Sequence, residues 1–102
     1  MGISKQAIQE FPHATLPREV AEELSLMCNK ARGDVLTMTT LAKSGHPGGS
    51  LSSMEMYMMA YGVADITPDD CDGLERDFVV IDHGHTSPGA YSALSYYGFI
   101  QP

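Results

Sequence analysis

From Val20 the apolar positions of the chain fall at 20, 24, 27, 31, 35, 38 and 42, in steps of three and four. That period marks one face of a helix. Pro17 suits the first turn of such a helix, and Glu19 suits its positive end. Gly33 lies inside the run. It weakens the helix by about 1 kcal/mol relative to alanine, so it points to a close packing contact. Glycine and proline in Ser44-Gly45-His46-Pro47 should end the helix there. Residues 45–49 then read as a tight, glycine-rich loop.

Ser52 and Glu55 have the spacing of a capping box that opens a second helix. Its body is Met54-Glu55-Met56-Tyr57-Met58-Met59-Ala60-Tyr61, with Gly62 as its stop. It is apolar nearly all round, so it should be buried on most sides, and its four methionines read as core filling. After an acidic stretch, Phe78-Val79-Val80-Ile81 is a short apolar run flanked by charges. It reads as a buried parallel strand. A loop over residues 82–86 follows. Ser87-Pro88 then opens a third helix through Tyr91, Leu94 and Tyr97, with Gly98 as its stop.

The order helix–helix–strand–helix predicts an α/β layer fold of which this chain holds one strand. Residues 1–15 show no strong period and read as an N-terminal arm, leaving residues 16–102 as one partial domain. There are no internal repeats and no low-complexity tracts.

Composition narrows the class. At 102 residues, with 43% apolar and 19% charged residues, the chain reads as one small globular domain. A chain of this size buries only a little over ~60% of its unfolded surface, so it should be marginal alone. The net charge of −7 excludes a nucleic-acid or anionic-membrane binder, which needs a basic stripe. Acidic residues concentrate in 65–77, which reads as a solvated loop. Its run Asp69-Asp70-Cys71-Asp72-Gly73 is similar in part to a calcium loop. The acidic residue required after the glycine falls on Val79, which rules calcium out.

Cys28 and Cys71 lack CxxC spacing and read as reduced thiols of a cytoplasmic protein. The N-terminus has no apolar signal core, and no window reaches the ~20 apolar residues of a membrane span. Gly2 does not make a myristoylation site, because position 6 is Gln.

Histidines carry the candidate chemistry. His85 lies between the expected strand and the third helix. A helix N-terminus offers unpaired N–H groups and positive charge, and ligands collect beyond strand carboxyl ends. His85 is therefore a candidate phosphate contact, with a plain turn-capping role the other open reading. His83-Gly84-His85 lacks the further ligands that zinc or iron require, so no metal is assigned. Rigid flanks at Gly45 and Pro47 could hold His46 for proton transfer, and an incidental turn histidine is the other open reading. His13 has no supporting context. Ser50, Ser52 and Ser53 read as caps rather than as an activated nucleophile, for lack of a GxSxG context.

Together the two loops carry a resemblance. Ser44-Gly45-His46-Pro47-Gly48-Gly49-Ser50-Leu51-Ser52 with Glu55 resembles the SGHPG-GSLS-x-x-E signature of transketolases, in particular those whose N-terminal half is a separate polypeptide. Arg76-Asp77-Phe78-Val79-Val80-Ile81-Asp82-His83-Gly84-His85 is similar to the family's RDRFVLS(K/N)GH strand and loop. Ser87-Pro88-Gly89-Ala90-Tyr91-Ser92-Ala93-Leu94 with Gly98-Phe99 resembles the helix that follows. Order and spacing agree over roughly residues 20–100.

The resemblance implies an N-terminal fragment of a thiamine-diphosphate-binding parallel-sheet fold. It implies that His46 is catalytic and binds substrate, that His85 binds substrate, and that His85 and Gly84 bind the cofactor diphosphate. The activity implied is transfer of a two-carbon ketol unit from a ketose to an aldose, using thiamine diphosphate and Mg2+. The partners implied are sugar-phosphate or related ketose and aldose substrates, and the missing transketolase segments or a C-terminal subunit, in a dimer or higher assembly. The family's GDG…N magnesium motif and its pyrimidine-activating acid are not in this sequence, so those ligands are expected outside it.

His83 stands where the family usually has Lys or Asn, and Asp82 where it has Ser, which weakens the positive charge expected near a diphosphate. Two other readings stay open. One is a truncated, non-catalytic module that binds or stabilises a full-length transketolase. The other is a related thiamine-diphosphate enzyme such as a deoxyxylulose-phosphate synthase, against which the SGHPGGSLS run weighs.

Overall fold

The computed structural model describes residues 15–100. The arm expected over residues 1–15 therefore lies almost wholly outside the described residues. Helix α1, Arg18–Ala42, carries the period read from the sequence, with Leu24, Met27, Cys28, Ala31 and Val35 buried. Pro17 stands at its N-cap, and the Pro17 carbonyl accepts the first helical bond from Ala21 N–H at 3.0 Å. Glu19 lies in the first turn, where the helix dipole favours it. The helix ends at Lys43, which turns left-handed (φ 54°) and donates its N–H to the Thr39 and Thr40 carbonyls. Gly33 makes no close contact: a Cβ added there meets nothing within 4 Å. The packing role expected of it is absent.

The glycine-rich loop is shorter than expected. Pro47–Ser52 forms a short helix, α2, with Pro47 at its first position. Helix α3, Met54–Val63, starts from Ser53 without a side-chain cap. The capping box expected of Ser52 and Glu55 does not form. Ser52 Oγ donates back to the Gly49 carbonyl at 3.1 Å, and the Glu55 carboxylate pairs with Arg32. A guanidinium partner outcompetes a lone backbone N–H for that carboxylate. Arg32 Nε also donates to the Leu51 carbonyl at 2.9 Å, so one side chain ties α1 to both α2 and α3.

Helix α4, Ser87–Tyr96, follows a 3-10 turn, Gly84–Thr86. The core lies where α1, α3 and α4 meet, and includes Met27, Cys28, Ala31, Val35, Met54, Tyr57, Met58, Tyr61 and Ala93. Met54 and Met58 fill it, while Met56 is 74% exposed, so α3 is buried along one side only. Burying each such methionine is worth ~1.5–3 kcal/mol. Tyr97 donates its hydroxyl to the Met58 carbonyl at 2.8 Å. Burial pushes its pKa up to about 12, so it remains a donor at any physiological pH. Both cysteines are free thiols.

The expected α/β fold with a buried parallel strand is overturned. Among the described residues there are helices and no strand. Residues 78–81 run as irregular chain. Val79 and Ile81 pack against the core, while Phe78 and Val80 are 60% and 86% exposed. A strand exists only when a neighbour completes its ladder of backbone hydrogen bonds, and none of the described residues supplies that neighbour.

Candidate functional site

Two segments far apart in sequence meet at one end of the helices. The first is the turn between α1 and α2. Gly45 has φ 114°, and a Cβ there would lie 3.0 Å from Thr39 Cγ2. A side chain at 45 would be strained and crowded at once. Gly45 therefore sets the bend that delivers His46 to the N-cap of α2, in extended conformation ahead of Pro47.

The second segment runs from His83 into α4. Thr86 organises it: its N–H and its hydroxyl both donate to the His83 carbonyl, at 3.1 and 2.8 Å. The buried Tyr57 hydroxyl donates in turn to Thr86 Oγ1. Ser87 Oγ donates to the Gly84 carbonyl at 2.7 Å. The loop's backbone is thus tied to α3 by a short polar chain.

Helices α2 and α4 join at Ser50 and Gly89. Ser50 is fully buried, and its Oγ accepts the Gly89 N–H at 3.0 Å. That N–H belongs to the first turn of α4, where the helix cannot satisfy it internally. Ser50 is therefore a cap, but for the opposite helix. A Cβ at residue 89 would come within 2.9 Å of Ser50 Cβ, so only glycine permits this approach.

The result is an open pocket of about 340 Å³ lined by His46, Gly49, His83 and His85. The His46 and His85 rings stand edge to face, with centroids 5.1 Å apart and planes at 77°. The structure thus brings together the two histidines singled out in the sequence. It adds His83, 6.0 Å from His85, which the sequence offered as half of an incomplete metal pair and as a departure from the family pattern, not as a wall of the site. Its i, i+2 spacing from His85 was visible, but the 3-10 turn Gly84–Thr86 that brings both rings to one cavity was read only as a loop. Gly84 opens the turn and is exposed, with nothing within 4 Å of an added Cβ. It is not among the residues that line the pocket.

Among the described residues no group of three or more His, Cys, Asp or Glu is placed to share a metal ion. The donors in the pocket are imidazoles, with no carboxylate among its described lining residues. That set suits an anion or a hydroxyl-bearing ligand, and imidazoles can also carry protons. It therefore fits the phosphate end of a cofactor or a sugar better than it fits a hard divalent cation. No described helix is long and apolar enough to cross a membrane.

Comparison with known proteins agrees with the paired loops. The family model described as transketolase, thiamine diphosphate binding domain, matches residues 25–101. No curated protein and no solved structure matches the chain. The match begins within α1, runs past the end of α4 and includes both histidine segments, and on it the chain belongs to the transketolase family, as a segment of the N-terminal thiamine diphosphate binding domain.

Proposed function

We propose that this chain is the N-terminal part of a transketolase-type enzyme, completed by further chain or by a partner subunit. The whole transfers a two-carbon ketol unit from a ketose to an aldose. The observation that carries the reading is the single pocket into which His46 and His85 both project, from segments 39 residues apart in sequence. When bound, thiamine diphosphate supplies the nucleophilic carbon and the electron sink of the reaction.

The side chains here do the remaining work. A nitrogen of His46 holds and moves a proton between the substrate hydroxyl or carbonyl oxygen and solvent, as an imidazole can near neutral pH. His85, just ahead of α4, donates to the diphosphate and to the substrate, with the exposed Gly84 backbone leaving room for the approach. Magnesium takes oxygen ligands, and these come from outside this chain. The exposed Phe78 and Val80 support the same reading, because a completed assembly would cover them. On this reading the enzyme is cytoplasmic and forms a dimer or higher assembly.

The test is to add the missing transketolase segment, thiamine diphosphate and magnesium, and to follow ketol transfer from a ketose donor. Activity that drops at least ~100-fold with His46→Ala or His85→Ala supports the reading. Binding of the chain to an intact transketolase with no gain of activity would instead identify a non-catalytic module.

A further inference from the structure

His83 has no part in the function just described, yet its imidazole lines the same cavity as His46 and His85. Its backbone is held by Thr86, through both bonds to the His83 carbonyl. Gly49 lets α2 approach the turn that carries it: a Cβ at residue 49 would crowd Thr86 Cγ2 at 3.0 Å, while His83 Cε1 would lie at ordinary contact distance, 3.5 Å.

The charge around these rings is unusual for a pocket suited to anions. Neither lysine nor arginine is among its described lining residues. Helix α2, packed on the turn, carries no ionisable side chain, and the turn itself contributes only His85. Helix α4 carries only the tyrosines Tyr91 and Tyr96. Along the chain the nearest charged residues are Lys43, before His46, and Asp82, beside His83; neither lines the cavity. The chain as a whole carries −7 with its histidines neutral. Beyond the partial charge of the helix ends, an anion entering this pocket meets positive charge from its described lining side chains only as imidazoles take up protons. Histidine is the side chain type that can gain a proton near physiological pH.

We propose that His46, His83 and His85 form a proton-coupled anion site, in which a phosphate or diphosphate group seats with uptake of protons from solvent and His83 is the third contact. The inference deepens the function proposed above and rests on it, since there the anion is the phosphate end of cofactor or substrate. It makes occupancy of the site fall as pH rises. A lysine at position 83 would remove much of that dependence, because its charge is fixed across the range.

The test uses the full chain with sulfate and inorganic pyrophosphate as probes, followed by NMR shift titration at about pH 6 and about pH 8. Sulfate keeps its charge over that range, so any change in its affinity comes from the protein. Pyrophosphate gains charge as pH rises, so a loss of affinity cannot come from the probe. Binding of both probes identifies a single-phosphate seat, and binding of pyrophosphate alone identifies a diphosphate seat. In either case affinity should be at least ~10-fold weaker at the higher pH. Calorimetry in buffers of different ionisation enthalpy should show net proton uptake.

His83→Gln should weaken binding at the lower pH and flatten the slope, and His83→Lys should strengthen binding at the higher pH. Failure of both probes to bind would overturn the inference. So would an affinity that ignores pH, or a slope unchanged in both His83 variants. Failure of the functional reading shows separately, as absent ketol transfer in the completed enzyme while the proton-linked binding persists.

Discussion

Glu55 looks in the sequence like half of a capping box, and in the fold its carboxylate instead meets Arg32 across to α1. The Arg32 hydrogen bond is the main cause that holds the Glu55 carboxyl below its ordinary pKa. A lowered folded-state pKa contributes stability above the unfolded value of about 4.3, and that contribution is lost as pH falls through the folded value. The pair is partly exposed, at 26% and 59%, and solvent screening keeps such pairs to ~0.5 kcal/mol. Glu55→Gln should therefore cost about that much at neutral pH and nothing under strong acid, read as urea midpoints across the acid range. Gly45 acts through its backbone. Gly45→Ala places a side chain at φ 114° and against Thr39. It should destabilise the chain by ~1–3 kcal/mol, measured by urea denaturation.

At the scale of elements, helices were legible because their signals are local. The period of α1 holds from Leu24 to Val35, with Val20 and Met38 half-buried and Ala42 exposed, and Ser87-Pro88 marks the start of α4 to the residue. Gly33 was misread, because a glycine within a helical run carries no mark of whether a neighbour approaches it. Its position is exposed and open, so Gly33→Ala should raise stability by ~0.5–1 kcal/mol, seen as a higher melting temperature. A helix bonds to itself; a strand does not. Phe78-Val79-Val80-Ile81 has strand composition, yet its ladder depends on a partner that the described residues do not hold. The same apolar run still alternates, with Val79 and Ile81 against the core and Phe78 and Val80 outward. The site was legible in part for a similar reason. His46 could be picked out from its glycine and proline flanks and His85 from its place ahead of a helix start, but the Ser50–Gly89 contact that joins their helices spans 39 residues and has no local signature.

At the scale of the whole molecule, the pocket depends on a link from core to surface. Tyr57 lies in the core on α3, and its hydroxyl reaches Thr86 Oγ1; the Thr86 hydroxyl reaches the carbonyl of His83 at the pocket wall. Each hydroxyl is thus fixed by the next. Tyr57→Phe removes the first bond and leaves the second, at a cost of ~1 kcal/mol. Thr86→Val breaks both, and it leaves the buried Tyr57 hydroxyl and the His83 carbonyl short of a partner, at ~1–3 kcal/mol. In the double variant the stranded tyrosine hydroxyl is gone, so the loss should be smaller than the sum of the single losses by ~0.5 kcal/mol or more. Urea denaturation of the four proteins in this cycle checks it. If the losses add, the three groups are not coupled, and the His83 carbonyl is held by the turn alone. If they fall short of adding, His83 and His85 owe their position to the core, and Thr86→Val should disturb their NMR signals more than Tyr57→Phe does.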